Sequence, residues 1–461
     1  MSSSELQDRT FVLVTGANSG LGFSVCCRLI DEFLSARPES QQLTIVYTTR
    51  DSKKGNDTRV RLEEHLRHAY AYHGQSPDDA QEETNSSSPR VTFISENVDL
   101  TDLVSVRALS RRLLKDVPKL DAIVLNAGLG GWTGIDWPKA IWEVMTDTLH
   151  AVSWPTYKVG QVGVVTKKQT SSLLASSGEK GEKKEIEEPR LGTIFCANVF
   201  GHYMLAHNVV PLLKRSAKPN GPGRIIWVSS LEGTIKLFDP EDIQGLRSEY
   251  AYESSKALTD ILALTSNLPS TAPWVNSFLS VEDDKSSTKS QQEEKEVNIY
   301  LTHPGICATS ILPLPFPLVY LMLISFWLAR ILGSPWHTLS TYAGAIAPVW
   351  LSLSPQHVLD DAESPYIRHG GGGRAKWGSS CDRLGRESCA SSEVDGWGYG
   401  GVVGPAVVEE DRRRMRKRGA TDLTREEREK FEELGRRCWQ EMEELRIRWD
   451  RILDEAEGLA Q

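Results

Sequence analysis

Short apolar runs rich in β-branched residues recur through the first 310 residues and alternate with longer stretches of helical character. Phe11 to Thr15 (FVLVT) and Leu43 to Thr49 (LTIVYTT) come first, and further runs lie in VTFISENVDLTD, DAIVLNAG and RIIWVSS. Such runs indicate buried strands, and strands that alternate with helices form parallel sheets. The pattern predicts an α/β fold with a Rossmann-type doubly wound parallel sheet over residues 1–310.

Polar insertions and a C-terminal extension account for the remaining length. A single sheet of this type needs about 250 to 300 residues, whereas the chain has 461. Residues 74–90, 167–190 and 280–297 are polar and poor in aromatic residues. Because such segments bury little apolar surface, they are predicted to be solvated loop insertions.

A glycine-rich turn follows the first strand at once. Its sequence, GANSGLG over residues 16–22, has the spacing Gly-x3-Gly-x-Gly. Glycines permit the turn and the close approach of a pyrophosphate, while free N–H groups at the helix start attract its negative charge. The turn predicts a dinucleotide site with contacts from Gly16, Asn18, Ser19, Gly20, Leu21 and Gly22.

Polar residues after later strands extend this predicted site. Arg50 ends the second strand, where an NAD-preferring fold usually places an acidic residue, and a guanidinium there suits the 2′-phosphate of NADP. A plain surface charge is the alternative, and Asp51 beside it weakens the preference. Ligands of open α/β sheets bind beyond the carboxyl ends of the strands. Contacts to adenine and ribose are therefore predicted for Asp99, Asn126, Ala127 and Gly128.

Tyr252 and Lys256 lie four residues apart in the helical run EYAYESSKALTDILAL, so one turn places both side chains on one face. A free phenol has a pKa of roughly 10, and a neighbouring ammonium favours the phenolate, which allows proton transfer near neutral pH. Ser229 and Ser230 close the strand RIIWVSS and offer a hydroxyl to hold a carbonyl oxygen. These groups predict the chemistry of a carbonyl reductase.

Two assignments stay open on the residues alone. Ser229 competes with Ser230 as the carbonyl-binding hydroxyl, and Ser248 is a further serine before Tyr252. Asn198 is a polar residue in the apolar helical run TIFCANVFGHYMLAHNVVPLL. Its amide either satisfies backbone groups in the core or positions a catalytic water.

These motifs occur in the order seen in the short-chain dehydrogenases/reductases, which the chain resembles over roughly residues 9 to 310. The shared pattern comprises Thr15-Gly16-x3-Gly20-x-Gly22, Asn126-Ala127-Gly128, Asn198, Ser230, Tyr252-x3-Lys256 and Pro304-Gly305-x3-Thr309. Within that superfamily, the segments NVFGHY, IWVSS and FDPEDIQ resemble the fungal sterol 3-keto reductases and their relatives, the type 7 17β-hydroxysteroid dehydrogenases.

The resemblance implies a role for each matching residue. Tyr252 would be the general acid, Lys256 would lower its pKa and hold the nicotinamide ribose, and Ser230 would position the carbonyl. Asn198 would anchor a proton-relay water. Implied cofactor contacts also include Tyr252, Lys256, Pro304 and Thr309.

The same resemblance implies a reaction. It is the NADPH-dependent reduction of the C3 ketone of a sterol intermediate to the 3β-hydroxyl, during C4 demethylation in ergosterol synthesis. Other enzymes of that demethylation are the implied partners. The alternatives are a short-chain reductase for another apolar ketone, such as a retinoid or polyketide, and an NADP-binding scaffold of a sterol-enzyme complex.

Residues 311–360 form the most apolar segment of the chain. From Pro304 to Leu359, Arg330 is the sole Lys, Arg, Asp or Glu. A spanning helix needs about 20 apolar residues, but prolines leave only Leu318 to Leu332 as good helix. An interfacial membrane segment beside the substrate entrance is predicted. The family resemblance implies that this membrane is the cytosolic face of the endoplasmic reticulum, extending to lipid droplets. A buried substrate-lid helix is the alternative.

The last hundred residues divide by composition. Residues 361–423 include four consecutive glycines at 370–373 and are predicted to be a flexible linker. Residues 424–458 begin with capping-box spacing and carry apolar residues at steps of three and four, which predicts an amphipathic helix. Such a stripe most often packs on its own domain. Its charged faces and the basic run at 412–418 would otherwise dock a partner or an anionic membrane.

Charge and cysteine content narrow the functional class. The 62 Asp and Glu against 53 Lys and Arg give no electrostatic reason to expect nucleic acid. The seven cysteines lack CxxC or Cys/His spacing, so we expect no metal site and a reducing compartment. The N-terminus carries no evident secretory or mitochondrial signal.

Overall fold

The computed structural model describes residues 8–72, 89–171, 173, 187–216, 220–280, 296–308 and 316–460. Most of each predicted polar insertion lies outside these residues, and so does Thr309.

The described residues contain an eight-stranded sheet in the order β10-β9-β8-β7-β4-β1-β2-β3 and a separate hairpin of β5 and β6. All neighbours in the large sheet are parallel except β9 and β10. The expected doubly wound parallel sheet is therefore confirmed. The strands are β1 (Arg9–Val14), β2 (Gln42–Thr49), β3 (Val91–Asn97), β4 (Ala122–Leu125), β5 (Trp132–Ile135), β6 (Lys158–Gly160), β7 (Gly223–Val228), β8 (Val297–His303), β9 (Lys376–Cys381) and β10 (Glu387–Ser392).

Helices cover both faces of the sheet. They are α1 (Gly20–Ala36), α2 (Ser52–Tyr72), α3 (Leu103–Asp116), α4 (Trp137–Thr146), α5 (Thr148–Ser153), α6 (Thr193–Phe195, continued by the π-helical turn Cys196–Phe200 and by Gly201–Asn208), α7 (Val210–Leu213), α8 (Ala251–Thr265), α9 (Ala272–Phe278), α10 (Phe316–Ile331), α11 (Thr341–Gly344), α12 (Ile346–Leu353), α13 (Gln356–Arg368), α14 (Glu409–Arg413) and α15 (Arg425–Ala460).

The local sequence explains where several elements begin. Asp102 caps α3, because its carboxylate accepts hydrogen bonds from the N–H groups of Val104 and Ser105. Asp136 caps α4 in the same way, and a proline occupies the first turn of that helix, where its missing N–H costs nothing. The central strands are apolar on both sides, as expected for a sheet covered by helices on each face.

Two apolar layers hold the helices against the sheet. One lies under α3, α6, α8 and α15, and the other lies under α1, α2, α12 and α13. Strand β1 runs between β4 and β2, so the connections diverge on either side of it. This topological switch opens a crevice beyond the carboxyl ends of β1 and β4, where ligands of such sheets bind.

The prediction of a flexible linker over residues 361–423 is wrong. This segment contributes β9 and β10 to the sheet, and Trp397 within it is fully buried with its Nε1 donating to the carbonyl of Arg374 at 3.1 Å. A Cβ on Gly371 or Gly373 would lie 2.3 Å from a backbone oxygen. The glycines here reflect close packing of backbone, which composition does not distinguish from a loose chain.

The predicted amphipathic helix is present as α15. Thr424 and Glu427 form the capping box, since each accepts a hydrogen bond from the backbone N–H of the other. Trp439 and Trp449 on its apolar stripe are buried, and Arg446 pairs with the buried Glu443 at 2.8 Å. The helix packs on α8 and α9, so its stripe belongs to the domain's own core.

Helix α10 lies in the segment predicted to meet a membrane. Among the described helices, none combines the length and the apolar character needed to cross a bilayer. Arg330, near the end of α10, donates to the carbonyls of His337 and Thr338 at 2.9 and 2.7 Å. The single charge between Pro304 and Leu359 is thereby bound to backbone rather than presented on the apolar face.

Replacement of Trp397 by alanine tests whether residues 361–423 belong to the folded domain. The indole packs on Phe431 with ring centroids 5.2 Å apart, so we expect Trp397→Ala to lower the free energy of unfolding by about 3 to 5 kcal/mol. Urea denaturation followed by circular dichroism measures this. The control is Leu384→Ala; Leu384 lies between β9 and β10 and is 78% exposed, so the free energy of unfolding should change by less than about 0.5 kcal/mol. Equally small effects of both changes would contradict the observed packing.

Candidate active site

A cavity of about 870 Å³ opens beyond the carboxyl ends of the central strands. Its size falls within the range of about 300 to 1,000 Å³ that is usual for small-molecule sites. The sequence-predicted residues that line it are Gly16, Asn18, Ser19, Gly20, Leu21, Gly22, Arg50, Asp99, Asn126, Ala127, Gly128, Ser230, Tyr252, Lys256 and Pro304. Residues separated by up to 288 positions along the chain thus meet in one site.

The glycine-rich turn has the shape that a pyrophosphate requires. Gly16 and Gly20 have positive φ angles of 69° and 55°, which side chains disfavour. A Cβ on Gly22 would lie 2.3 Å from the carbonyl oxygen of Gly16. Ser19 precedes α1 without capping it through its side chain, so the first N–H groups of α1 are available to a ligand.

Thr15 ties the turn to the loop after β4. Its hydroxyl accepts hydrogen bonds from the N–H groups of Asn126 and Ala127 at 2.8 and 3.0 Å. The side-chain amide of Asn126 donates to the carbonyl of Thr15 at 3.0 Å. The two loops that form the cofactor side of the cavity are therefore held by one threonine.

His202 completes this connection and was not assigned a role from the sequence. Its Nε2 lies 2.9 Å from the Thr15 hydroxyl, and its Nδ1 lies 3.3 Å from the carbonyl of Asn198. Complete burial lowers the pKa of His202 to about 3, so the ring is neutral and can serve as donor on one side and acceptor on the other. A buried histidine in an apolar helix leaves no distinctive sequence signal.

Positive charge faces the cavity after β2. Arg50 and Lys54 both line it, and the Lys54 Nζ lies 3.4 Å from the Asp51 Oδ2. Asp51 also accepts the N–H of Lys54, so this carboxylate caps the start of α2. On the adjacent loop, Asp99 accepts two hydrogen bonds from Thr101, at 2.9 Å from its N–H and 2.7 Å from its hydroxyl.

Ser230, Tyr252 and Lys256 converge at the far end of the cavity. The Lys256 ammonium donates to the carbonyl of Val228 at 2.8 Å and lies 5.8 Å from the centroid of the Tyr252 ring. Burial lowers the pKa of Lys256 to about 8, with Lys376 acting in the same direction and Asp260 opposing it.

The environment of Tyr252 favours the protonated phenol. Burial raises its pKa first, and the negative charge of Glu232 raises it further, while a hydrogen bond with Ser230 acts in the opposite direction. A protonated phenol is the form that a proton donor needs. The expected lowering of this pKa by Lys256 stays a prediction.

The geometry separates the two neighbouring serines. Ser229 is buried, and its hydroxyl donates to the carboxylate of Asp260 behind the site. Both serines line the cavity, but it is Ser230 that interacts with Tyr252. The hydroxyl of Ser248 accepts the N–H of Tyr250 within its own turn. Ser230, beside Tyr252, is therefore the better placed of the candidate serines, and its role in binding a carbonyl stays a prediction.

Asn198 lies in the π-helical turn of α6 and is buried. Its Oδ1 accepts from the N–H of Leu129 at 2.7 Å, and its Nδ2 donates to the carbonyl of Leu129 and to Ser255, each at 3.0 Å. The side chain thus satisfies backbone groups, which is the structural alternative considered for it. A role in binding a catalytic water stays a prediction.

The loop after β8 closes the cofactor side. Pro304 and Gly305 line the cavity, and a Cβ on Gly305 would lie 2.5 Å from the carbonyl oxygen of Trp336. The hydroxyl of Thr338 donates to the carbonyl of Pro304 at 3.1 Å. Thr309, predicted to contact the cofactor, lies outside the described residues.

The opposite wall of the cavity is mostly apolar, with Lys158 of β6 as a charged member, and was not assigned from the sequence. It combines the hairpin of β5 and β6 with α4, α5 and α10. Trp132 of β5 packs on Tyr252 with ring centroids 4.6 Å apart. The four-residue spacing of Trp137, Ile141 and Met145 was a readable helical signal, but its position beside the site follows only from the fold. The other apolar residues that line this wall of the cavity include Ile135, Val144, Val152, Leu318, Leu321, Met322 and Phe326.

Comparison with known proteins identifies the family. No family model matches the chain. The chain is 64% identical over 462 residues to the 3-keto-steroid reductase erg27 of Aspergillus fumigatus, and the match covers 100% of this chain and 98% of that protein. The chain belongs to the 3-keto-steroid reductase family. It is an oxidoreductase, and the family resemblance stated from its motifs is confirmed.

More distant members of the 3-keto-steroid reductase family also match over most of their length. Identity is 38% over 479 residues to the protein of Gibberella zeae, covering 97% of this chain and 95% of that one. Identity is 31% over 401 residues to the protein of Candida albicans, covering 86% and 92%.

Solved structures give weaker likenesses. A 7 alpha-hydroxysteroid dehydrogenase complexed with NADH and 7-oxo glycochenodeoxycholic acid has a TM-score of 0.39 and 16% identity, with 77% of this chain and 92% of that chain covered. The KRED1-Pglu enzyme has a TM-score of 0.38 and 14% identity, with 75% and 95% covered. Likenesses of this strength carry no information about the substrate.

Proposed function

We propose that the protein reduces the C3 ketone of a sterol intermediate to the 3β-hydroxyl, with NADPH as hydride donor, in the C4-demethylation stage of ergosterol biosynthesis. The observation that carries this proposal is the convergence of Ser230, Tyr252 and Lys256 between a dinucleotide turn and an apolar wall. The full-length similarity to a protein named 3-keto-steroid reductase supports it.

Each reacting group has a position suited to one task. The nicotinamide, when bound, supplies the hydride that adds to C3 of the ketone. Ser230 donates a hydrogen bond to the carbonyl oxygen, and Tyr252 transfers its proton to that oxygen as charge develops on it. The ketone thereby gains one hydride and one proton and becomes the secondary alcohol.

Lys256 is suited to support this proton transfer. Because its pKa is near 8, both the ammonium and the amine are accessible close to neutral pH. Its ammonium donates to the carbonyl of Val228 and lies 5.8 Å from the centroid of the Tyr252 ring. In this proposal Lys256 stabilises the phenolate left by the transfer and holds the nicotinamide ribose.

The proposed choice of NADPH rests on Arg50 and Lys54. Both line the cofactor side of the cavity, at the position where the 2′ substituent of the adenosine ribose lies in folds of this type. A guanidinium binds a phosphate through two parallel hydrogen bonds, which a ribose hydroxyl does not offer. Asp51 accepts the N–H of Lys54 and its carboxylate lies 3.4 Å from the Lys54 ammonium, so part of its negative charge is engaged within its own turn.

The proposed membrane contact rests on an exposed apolar surface beside the cavity. We call it the apolar mouth; it comprises Trp137, Ile141, Trp142 and Met145 of α4 and Leu321, Ile324, Trp327 and Leu328 of α10. Ile141, Met145 and Leu321 also line the cavity, so the surface and the substrate wall are continuous. A sterol dissolves in bilayers rather than in water, and aromatic residues favour the membrane boundary.

The proposed location is the cytosolic face of the endoplasmic reticulum membrane, extending to lipid droplets. The seven cysteines are free, which suits a reducing compartment. The proposed partners are the other enzymes of sterol C4 demethylation, since one membrane surface would bring them and their shared intermediates together.

The chemistry is tested by removing the hydroxyl of Tyr252. Tyr252→Phe should lower turnover of a 3-keto sterol such as zymosterone by at least about 100-fold, because general acid catalysis contributes about 10²–10⁴-fold. The Kd for NADPH, measured by fluorescence, should stay within about threefold, well under 1 kcal/mol. Tyr250→Phe, which removes a hydroxyl two residues earlier, is the control. Product formation by Tyr252→Phe at the wild-type rate would overturn the proposed role.

Cofactor preference is tested by reversing the charge of Arg50. Loss of a charge-assisted bidentate contact costs about 1.5 to 3 kcal/mol, so Arg50→Glu should raise the KM for NADPH by about 10- to 100-fold with a smaller effect on NADH. Arg67→Glu, an exposed site on α2, controls for the change in net charge. An unchanged ratio of kcat/KM for the two cofactors would contradict the assignment of Arg50.

Membrane docking is tested by placing polar residues in the apolar mouth. The side chains of Trp142 and Trp327 are 70% and 59% exposed, so their joint change to serine should leave the fold intact. We expect flotation with phosphatidylcholine vesicles to fall by at least about tenfold, since each buried indole contributes more than 1 kcal/mol. Leu384→Ser with Ile367→Ser removes exposed apolar residues elsewhere and should float like wild type. Equal flotation of both double variants would refute docking through this surface.

A further inference from the structure

A second lysine lies beside the catalytic tyrosine. Lys158, on β6, places its Nζ 3.8 Å from the centroid of the Trp132 ring and 5.6 Å from that of Tyr252. The same ammonium pairs closely with the carboxylate of Glu232 and lies 3.6 Å from that of Glu253. Strand β6, the loop after β7 and helix α8 thus meet at one ammonium group.

The two carboxylates belong to the segments that carry the catalytic groups. Glu232 follows Ser230 by two residues, and its N–H donates to the Ser230 hydroxyl at 3.2 Å. Glu253 follows Tyr252 directly at the start of α8. Lys158 therefore joins the serine loop to the tyrosine helix from the opposite side of the cavity.

Trp132 adds a second connection between Lys158 and Tyr252. Its indole ring packs on the Tyr252 ring with centroids 4.6 Å apart, while its face receives the ammonium. A cation over an indole face is attracted by the negative potential of the ring, more strongly where water is excluded. The indole is thus held between the lysine and the phenol.

Burial makes this arrangement costly unless it is complete. Lys158 and Glu253 are buried, and burial raises the pKa of Glu253 while Lys158 lowers it. A lone charge left in such a site is strongly unfavourable, and an apolar side chain at residue 158 would leave the carboxylates of Glu232 and Glu253 without this partner. The lysine and its two carboxylates are therefore stable only as a set.

We propose that Lys158 is a positioning residue of the reductase, which clamps the Ser230 loop to the Tyr252 helix and offsets the negative charge of Glu232 and Glu253 at the phenol. This inference rests on the proposed reduction at Tyr252. It extends that function by assigning a catalytic purpose to the β5–β6 hairpin, which lies outside the motifs of the cofactor and catalytic residues.

The charges around Tyr252 determine the sign of the expected effect. Besides Lys158, the groups that face the phenol are Glu232 after β7, Glu253 and Lys256 on α8, and the Cys307 thiol after β8. The negative charge of Glu232 and Glu253 raises the pKa of Tyr252. Removing Lys158 leaves both carboxylates unopposed and raises this pKa further, whereas neutralising Glu232 lowers it.

The test is the pH profile of kcat/KM for ketone reduction in Lys158→Met and Glu232→Gln. Reduction needs the protonated phenol and the Lys256 ammonium, so activity falls as the pH rises through the pKa values of this pair, and both respond in the same direction to a charge removed beside them. We expect this alkaline limb to move up by about one pH unit in Lys158→Met and down by a similar amount in Glu232→Gln. The plateau of Lys158→Met should fall about tenfold or more, because a phenol of higher pKa is a weaker acid.

Two further variants separate a catalytic purpose from a structural one. Lys158→Arg keeps the charge, so the alkaline limb should lie at the wild-type pH and the plateau of kcat/KM should be close to the wild-type value. Lys115→Met, at an exposed position on α3, should have the pH profile of wild type. A purely structural ion pair would lower activity without moving the limb in opposite directions. Alkaline limbs that coincide with wild type in both Lys158→Met and Glu232→Gln would overturn the proposal.

A titration without substrate keeps this inference distinct from the proposed function. Phenolate absorbance of each variant, minus that of the same variant carrying Tyr252→Phe, follows the phenol directly. A Tyr252 pKa that moves in opposite directions in Lys158→Met and Glu232→Gln supports the positioning role of Lys158, even if the protein does not reduce a 3-keto sterol. In that case the proposed substrate is wrong and the positioning role stands. Identical titrations in protein that does reduce the sterol would refute the clamp and leave the function standing.

Discussion

A buried ion pair between Lys376 and Asp260 joins the C-terminal strands to the catalytic site. The Lys376 ammonium lies 2.6 Å from the carboxylate of Asp260 on α8 and donates to the carbonyl of Ser230 at 2.7 Å. Asp260 also accepts the hydroxyl of Ser229. Buried charges are stable only when their partners are complete, so β9, α8 and the serine loop must assemble together. The C-terminal extension is consequently part of the catalytic domain.

The sequence was informative wherever chemistry depends on short spacing. The glycine turn at residues 16–22 and the pair Tyr252 and Lys256 could be placed on strands and helices because backbone geometry constrains neighbours along the chain. The sequence offered no means of assigning roles to Lys376, His202 and Trp132, because those roles arise from contacts between residues far apart along the chain. Composition misled for residues 361–423, where glycine allows close packing as readily as flexibility.

The two sides of the cavity differ in how the fold builds them. The cofactor side uses backbone amides and tight turns after β1, β4 and β8, where a side chain on Gly22 or Gly305 would collide with a backbone oxygen and one on Gly128 would meet the Asn198 amide. The substrate side uses side chains of α4, α5 and α10, whose apolar residues continue onto the surface as the apolar mouth. A polar cofactor and a membrane-soluble ketone can thereby approach Tyr252 from different directions.

The central claim is that hydride and proton are delivered to one carbonyl at Tyr252. The most direct measurement uses NADPH deuterated at the transferring position of its nicotinamide ring, with a 3-keto sterol, and mass analysis of the alcohol. The account predicts a 3β-hydroxy product with one deuterium at C3. An alcohol without deuterium, or no alcohol from folded protein that binds NADPH, would contradict it.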